Sequence, residues 1–315
     1  MQATESKPGR VGLILIGAFE IVISLFFVLF GLLMLFIPRF TPAATQDNNT
    51  FLLSFFYFGI GGMFLTFAIG TILGKRWARK LMLILSWFWL VTGILGLFNT
   101  LYMWPMLEKL LLAGGQLPPG TLFIIKVVLG FVFTFLFLIL PGLFILFYGR
   151  QKAKTVFEAL DPGESWTDKC PASVLAMSLC SGLGSLFLVL FMPFYHFVIP
   201  FLGTFLEDLP GAIVCLALAA ALAYAAWGVF HLQMAAWWVQ FGTILFWGVS
   251  STWTFSTKNL LDMYEAMQVP EKNMGLLKQS GFFENTQYLA TYMGVVFGIY
   301  LAYLLFIRKY FRTGN

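Results

Sequence analysis

The segment that decides the fold is Val11–Ile37, VGLILIGAFEIVISLFFVLFGLLMLFI, an apolar run interrupted by one charged side chain, Glu20. An α-helix rises about 1.5 Å per residue, so about 20 such residues cross the ~30 Å hydrocarbon core of a bilayer. The run is too long for the apolar region of a signal peptide and ends at Pro38-Arg39-Phe40, without a small-residue cleavage site. We therefore expect an uncleaved transmembrane helix.

The rest of the chain has the same character. Of its 315 residues, 60% are hydrophobic and only 10% are charged, whereas about a quarter of an average soluble domain is charged. This composition predicts an all-α integral membrane protein with about eight transmembrane helices. The predicted spans cover residues 12–37, 51–73, 80–98, 121–148, 172–199, 209–230, 235–255 and 287–307.

The division between the sixth and seventh spans rests on length. Leu209–Phe255 contains no Asp, Glu, Lys or Arg and is about twice too long for one crossing. A tight hairpin at Gly228–Met234, where His231 and Gln233 are the polar residues, divides this segment into two helices of suitable length.

The distribution of Lys and Arg predicts the orientation. With the N-terminus inside, 13 of the 19 lie on cytoplasmic segments, five lie on the opposite side, and Lys126 lies within a span. Such a bias is typical of cytoplasmic loops, and it also explains the net charge of +5 without a nucleic-acid partner. We expect a multi-pass protein of a bacterial inner membrane or plasma membrane, with both termini cytoplasmic.

The two halves of the chain look duplicated. We divide it into a four-span half at 1–148, a basic cytoplasmic linker at 149–171 and a second four-span half at 172–315. The first span of each half ends near a proline, Pro38 or Pro200. Because four is an even number, such repeats would be parallel and related by a pseudo-two-fold axis along the membrane normal. The alternative is that any eight-pass sequence divides into two similar hydropathy patterns.

Three segments outside the spans have a helical pattern. Asn99–Gly120 and Thr257–Asn285 each place apolar and aromatic residues on one face, which predicts amphipathic helices at the outer interface. Arg150–Leu160 is predicted to extend the fourth span as a basic helix, and Asp161-Pro162-Gly163 ends it. The alternative for the outer segments is a solvated loop.

Glu20 is the strongest candidate for an intramembrane functional residue. An acidic side chain within a span costs a few kcal/mol unless it faces the protein interior, a cavity or a partner. It serves either as a proton, cation or ligand site, or as a buried carboxyl that hydrogen-bonds another helix. Lys126 is a second candidate, although its long side chain is able to reach the interface.

A basic turn and the first part of the linker together carry seven cations and a tryptophan. One interpretation is that they anchor the topology, and the other is that they bind anionic lipid headgroups. The residues are Lys75, Arg76, Trp77, Arg79, Lys80, Arg150, Lys152 and Lys154.

No metal or cofactor site is expected. Cys170, Cys180 and Cys215 have no metal-ligand spacing. His196 is predicted near the outer end of the fifth span and His231 near the inner end of the sixth, so one metal or haem would not reach both.

The sequence therefore favours a non-enzymatic accessory, assembly or lipid-contacting module. Its expected partners are the bilayer, anionic headgroups, and a membrane protein or a second copy of the chain. The alternative is a transporter or channel for a small or lipophilic solute, with a site between the two halves. An intramembrane enzyme acting on lipid is disfavoured, because the chain has no phosphate loop, His-Glu-x-x-His or Gly-x-Ser-x-Gly motif.

Overall fold

The computed structural model describes residues 7–40, 48–113, 118, 120–269 and 286–311, and most of these residues are helical. The helices are α1 (Lys7–Phe40), α2 (Asn48–Ile72), α3 (Arg76–Ala113), α4 (Thr121–Thr134), α5 (Leu140–Gly149), α6 (Gln151–Leu160), α7 (Ala172–Phe191), α8 (Asp208–Phe230), α9 (Met234–Thr257), α10 (Leu260–Ala266) and α11 (Thr286–Ile307). Short 3₁₀ turns cover Trp166–Lys169, Met192–Tyr195 and Arg308–Phe311.

Among the described residues, seven helical segments are long and apolar enough to cross a membrane, as expected for a multi-pass, all-α membrane protein. They are Arg10–Phe36, Leu53–Ile72, Arg76–Pro105, Thr121–Gly149, Ala172–Tyr195, Asp208–Phe230 and Gln287–Phe311. The 24-residue helix α9 matches the seventh predicted span in its bounds but is not among the seven. Its tryptophans, its glutamine and its Ser and Thr residues make it less apolar than the others, so the eighth crossing is still a proposal.

The chain forms two compact units. Unit 1 comprises Met1–Leu95 and Phe131–Lys169, and unit 2 comprises Gly96–Gly130 and Cys170–Asn315. The core of unit 1 is a cluster of buried apolar side chains supplied by four spans and by α6. Its members are Leu13, Phe64, Met82, Leu140, Phe144, Tyr148 and Phe157.

Unit 2 contains a short β-hairpin that the sequence did not predict. Strand β1 (Ile199–Phe201) pairs antiparallel with β2 (Thr204–Leu206), with Ile199 opposite Leu206. The turn is fixed to α9, because the Leu202 amide donates to Ser250 Oγ at 2.9 Å and the Gly203 amide to Thr254 Oγ1 at 3.0 Å. Strands this short are below the length at which alternation is readable in a sequence.

The predicted fifth span, 172–199, is shorter than expected. Helix α7 ends at Phe191, and a 3₁₀ turn that contains Pro193 continues to Tyr195. His196 and Phe197 then have φ near +52°, a conformation that is incompatible with a continuing helix. The chain therefore leaves the helix before the hairpin begins.

The basic helix predicted at Arg150–Leu160 is present as α6 and ends before Asp161, but it does not extend the fourth span. That span contains a π-helical segment, Phe135–Ile139, and it ends at Gly149. Arg150 is extended, with ψ of 140°, so α6 is a separate helix. The break lets Phe157 turn back and pack in the core of unit 1.

The outer segments are described in part. In the first, α3 continues without interruption through Pro105 to Ala113, where a separate helix was expected. In the second, α10 begins with a capping box between Asn259 and Asp262. Residues 114–117, 119 and 270–285 lie outside the described residues, and the interfacial position of both segments is a prediction that is not tested.

Candidate functional site

Glu20 belongs to a fully buried polar cluster in unit 1. Glu20 on α1, Thr71 on α2 and Tyr148 on α5 each have no exposed surface. The Tyr148 hydroxyl donates a hydrogen bond to Glu20 Oε1, and the Thr71 hydroxyl lies 2.9 Å from the Tyr148 oxygen. Because the tyrosine proton points to Glu20, Thr71 is the donor of the second bond. Among the described residues, Glu20 Oε2 has no hydrogen-bond partner.

Close packing of α1 on α2 places this cluster. A Cβ on Gly17 would lie 3.1 Å from the Ala68 carbonyl oxygen, so glycine is needed where the two helices approach each other. One heptad further along α1, the Ser24 hydroxyl donates to the Gly61 carbonyl at 2.7 Å. Glu20 lies between these two contacts on the same face of α1 and therefore points into the unit.

Apolar side chains surround the Glu20 cluster. Tyr148 packs in the core of unit 1, and the ring of Phe144 lies 6.3 Å from that of Tyr148. A carboxyl in such surroundings is tolerated because it receives a hydrogen bond. This arrangement joins three helices, as expected for a packing role, and it gives Glu20 no exposed surface for a solute.

Unit 2 has its own buried polar cluster, which sequence reasoning missed. Gln240 on α9 is fully buried, and its Nε2 donates to Ser181 Oγ on α7 and to Tyr300 Oη on α11, the latter at 3.0 Å. Among the described residues, Gln240 Oε1 has no partner. Gln240 carries no charge and therefore did not stand out among the polar residues of the spans. A glutamine within a span that has no charged residue nevertheless indicates a hydrogen bond between helices.

Lys126 lies apart from both clusters. It is exposed on α4, and its Nζ lies 5.2 Å from the centre of the Trp104 ring on α3. A cation over a tryptophan face is stabilised by the ring quadrupole. The contact fits a side chain that extends along the helix toward an interfacial tryptophan.

The basic turn is ion-paired with the linker. Lys75 Nζ lies 3.4 Å from Asp161 Oδ1, and Lys80 Nζ lies 3.7 Å from Asp168 Oδ1. Arg76 contacts both Glu158 and Asp168 at 3.5 Å. The acidic residues of the linker therefore neutralise much of the charge of the turn.

Two further contacts fix this turn to the fourth span and the linker. Arg79 Nε donates to the Tyr148 carbonyl oxygen at 3.0 Å, and Lys80 Nζ donates to the Thr167 carbonyl oxygen. Trp77 packs beside Gly70, where a Cβ would lie 2.9 Å from its ring. The predicted set of seven cations thus divides into a paired turn and the cations of α6.

The cysteines and histidines do not assemble in the described part of the chain. There, no group of three or more His, Cys, Asp or Glu residues is placed to hold a metal ion. Cys170, Cys180 and Cys215 are free thiols. His196 Nδ1 lies 3.6 Å from Asp208 Oδ1 where α8 begins.

Comparison of the chain with protein-family models, with curated proteins and with solved structures gave no match.

Proposed function

We propose that this chain is a non-enzymatic, lipid-contacting membrane module built from two parallel four-span repeats, with eight crossings and both termini cytoplasmic. Its polar residues within the spans hold each unit together, and its large apolar surface contacts lipid. The support comes from matched packing in the two units, from the length of α9 and from the character of the exposed surface.

The first two helices of each half pack in the same register. Two contacts one heptad apart join α1 to α2, and two contacts with the same spacing join α7 to α8. The contact positions on α7 lie 161 residues after those on α1, and the contact positions on α8 lie 158 residues after those on α2. The pairs are Ser24 with Gly61 and Gly17 with Ala68 in unit 1, and Ser185 with Ala219 and Ser178 with Ala226 in unit 2.

The third and fourth spans correspond as well. Arg79 Nε donates to the Tyr148 carbonyl at 3.0 Å, and Trp237 Nε1 donates to the Leu304 carbonyl at 2.9 Å. Position 237 lies 158 residues after 79, and position 304 lies 156 after 148. Different side chains thus make the same bond at corresponding positions. Chance similarity of hydropathy does not produce such agreement, which supports duplication.

An eighth crossing by α9 is supported by its length and surroundings. At about 1.5 Å per residue, its 24 residues reach about 36 Å. It contains no Asp, Glu, Lys or Arg, and it packs against both α8 and α11, which are themselves long enough to cross. With this crossing, the C-terminal basic residues lie on the same side as the N-terminus, as the positive-inside rule requires.

The lipid-contacting role rests on one observation. Glu20, the polar group best suited to a solute pathway, is enclosed in unit 1 and bonded to Tyr148, while most of the exposed side chains of the spans are apolar. In α4 no residue is buried, and Phe123, Ile124 and Phe131 are more than 60% exposed. Such a surface is stable in hydrocarbon and not in water.

Proteoliposomes test this role against the transport alternative. The full-length protein is reconstituted around a pH-sensitive dye, and proton flux is followed under imposed Na⁺ and K⁺ gradients. For vesicles that contain the native chain or the Glu20→Gln variant, we expect the same proton flux as for protein-free vesicles. Flux that the native chain supports and that a folded Glu20→Gln variant loses would contradict the proposal and favour a transporter.

Assembly with another membrane protein or with a second copy is a second candidate, and the exposure of α4 favours it. Ile124→Cys, in a chain whose native cysteines are replaced by serine, allows crosslinking in native membranes. A single discrete adduct would support assembly through α4, and no adduct would leave lipid as its contact. Leu305→Cys, exposed on α11, is the matched control.

A further inference from the structure

Helix α6 lies directly after a span. The span ends at Gly149, and α6 begins two residues later at Gln151. Its apolar side packs back on unit 1: Phe157 is 1% exposed in the core, and a Cβ on Gly74 would lie 2.5 Å from Leu160. The opposite side of α6 therefore faces away from the protein.

The first turn of α6 and the residue before it are basic. Arg150, Lys152 and Lys154 are exposed within five consecutive positions. Lys154 Nζ lies 3.8 Å from Glu158 Oε1, whereas Arg150 and Lys152 have no acidic partner among the described residues. Two acids of the linker, Asp161 and Asp168, are directed elsewhere, because they pair with the basic turn.

Lys152 differs from the corresponding residue of unit 2 in its aromatic contacts. The matching residue of the second half, 156 positions later, is Arg308, whose guanidinium lies 5.2 Å from the ring centre of Trp237. The counterpart of Trp237 in unit 1 is Arg79, which bonds the Tyr148 carbonyl and offers no ring face. Lys152 is therefore left without the aromatic partner that its counterpart has.

The N-terminus of α6 adds to this positive potential. No side chain caps this ten-residue helix, and Arg150 is its N-cap residue. The partial positive charge of a helix N-terminus favours an anion. This partial charge lies at the same end of α6 as Arg150 and Lys152.

We propose that the surface formed by Arg150, Lys152, Lys154 and the start of α6, here called the α6 surface, binds the phosphate of anionic lipid headgroups. This names the lipid class for the proposed lipid-contacting function and rests on it. The basic turn at 75–80 is not part of the α6 surface, because its cations are engaged by the linker.

The test uses purified full-length protein titrated with short-chain phosphatidylglycerol, phosphatidylcholine or inorganic phosphate. We expect salt-sensitive binding of phosphatidylglycerol alone. A cation of the α6 surface should contribute about fivefold to affinity, so Arg150→Gln with Lys152→Gln should weaken binding about thirtyfold. Equal binding of inorganic phosphate would overturn the assignment to a lipid headgroup.

Two further variants make the result specific. Lys258→Gln with Lys309→Gln removes the same charge from exposed positions elsewhere and should leave affinity within twofold. Lys75→Gln with Lys80→Gln should lower the melting temperature without a comparable loss of binding. Equal losses in all three, or a loss confined to the turn variant, would overturn the α6 surface. The flux assay reports separately on the proposed function.

Discussion

The turn between α2 and α3 and the turn between α8 and α9 have the same backbone hydrogen bonds. Their side chains differ, because the first turn is strongly basic and the second is uncharged. In the first, the Gly74 amide bonds the Thr71 carbonyl and the Lys75 amide bonds that of Gly70. In the second, 158 residues on, Leu232 bonds Val229 and Gln233 bonds Gly228. Gly74 and Leu232 both have positive φ, +67° and +59°.

The side chains of the two turns differ completely. The first has Lys75, Arg76, Arg79 and Lys80, which pair with the linker and the fourth span, and the second has no charged residue. The backbone therefore does not need the cations. In unit 1 they attach the linker, which explains why charge is concentrated at one of two equivalent turns.

The largest expected effect comes from the glycines that let each pair of helices meet. A Cβ on Gly70 would lie 2.6 Å from the Ala78 Cβ, and one on Gly228 would overlap Ala236. Gly70→Ala and Gly228→Ala should each lower the free energy of unfolding by about 2–3 kcal/mol, because the helices must separate. Unfolding in mixed micelles measures this change.

Gly62→Ala is the control for these glycines, since a Cβ added at this position would have no atom within 4 Å. It should stabilise α2 by about 0.5 kcal/mol. A large loss at one turn and none at the other would break the equivalence of the two turns.

The two buried polar clusters should differ in sensitivity. Tyr148→Phe removes the hydrogen-bond donor to Glu20 and should cost about 2 kcal/mol. Tyr300→Phe should cost about 1 kcal/mol, because Gln240 keeps its bond to Ser181. Thermal unfolding of both variants gives the order, and a larger loss for Tyr300→Phe would contradict the geometry.

Replacing Leu232 by glycine, the residue at the corresponding position 74, should stabilise the protein. A left-handed conformation costs a non-glycine residue about 1–2 kcal/mol, so Leu232→Gly should stabilise the chain by about 1 kcal/mol. Leu232→Ala removes the side chain and keeps the strain, and should give no gain. Equal behaviour of the two variants in a melting assay would mean that backbone strain is not the cause.

The smallest effect belongs to the ion pairs of the first turn. A double-mutant cycle with Lys80→Gln and Asp168→Asn should give a coupling of about 0.5 kcal/mol, since both side chains are partly exposed. The coupling should decline at 1 M salt, where charges are screened within about 3 Å. A coupling that persists unchanged in salt would be inconsistent with an exposed ion pair.

Hydropathy was sufficient to predict seven membrane helices and the position of the α8–α9 turn. Length and apolarity determine such helices locally, and the 231–233 turn was marked by His231 and Gln233. For Glu20, the cost of a carboxyl in lipid left the protein interior, a cavity and a partner as alternatives, and the side chain lies in the interior.

The partners of Glu20 were beyond sequence reasoning, because pairing with Tyr148 depends on how α1 and α5 pack. Gln240 was missed since it has no charge, and the β-hairpin was missed since each strand has three residues. The pairing of the basic turn with Asp161 and Asp168 needed the break at Arg150, and the one glycine beside it, Gly149, was not sufficient to predict that break.

The most direct test of two parallel repeats is the side of the membrane on which the start of α6 and the α8–α9 turn lie, compared with positions 118 and 258. Single cysteines at Gln151, His231, Pro118 and Lys258, all exposed, replace the native thiols and are labelled from outside intact cells with a membrane-impermeant maleimide. Parallel repeats with eight crossings predict that 151 and 231 are protected and that 118 and 258 are labelled. Labelling at 231 with protection at 258 would contradict the account, because the second half would then be inverted.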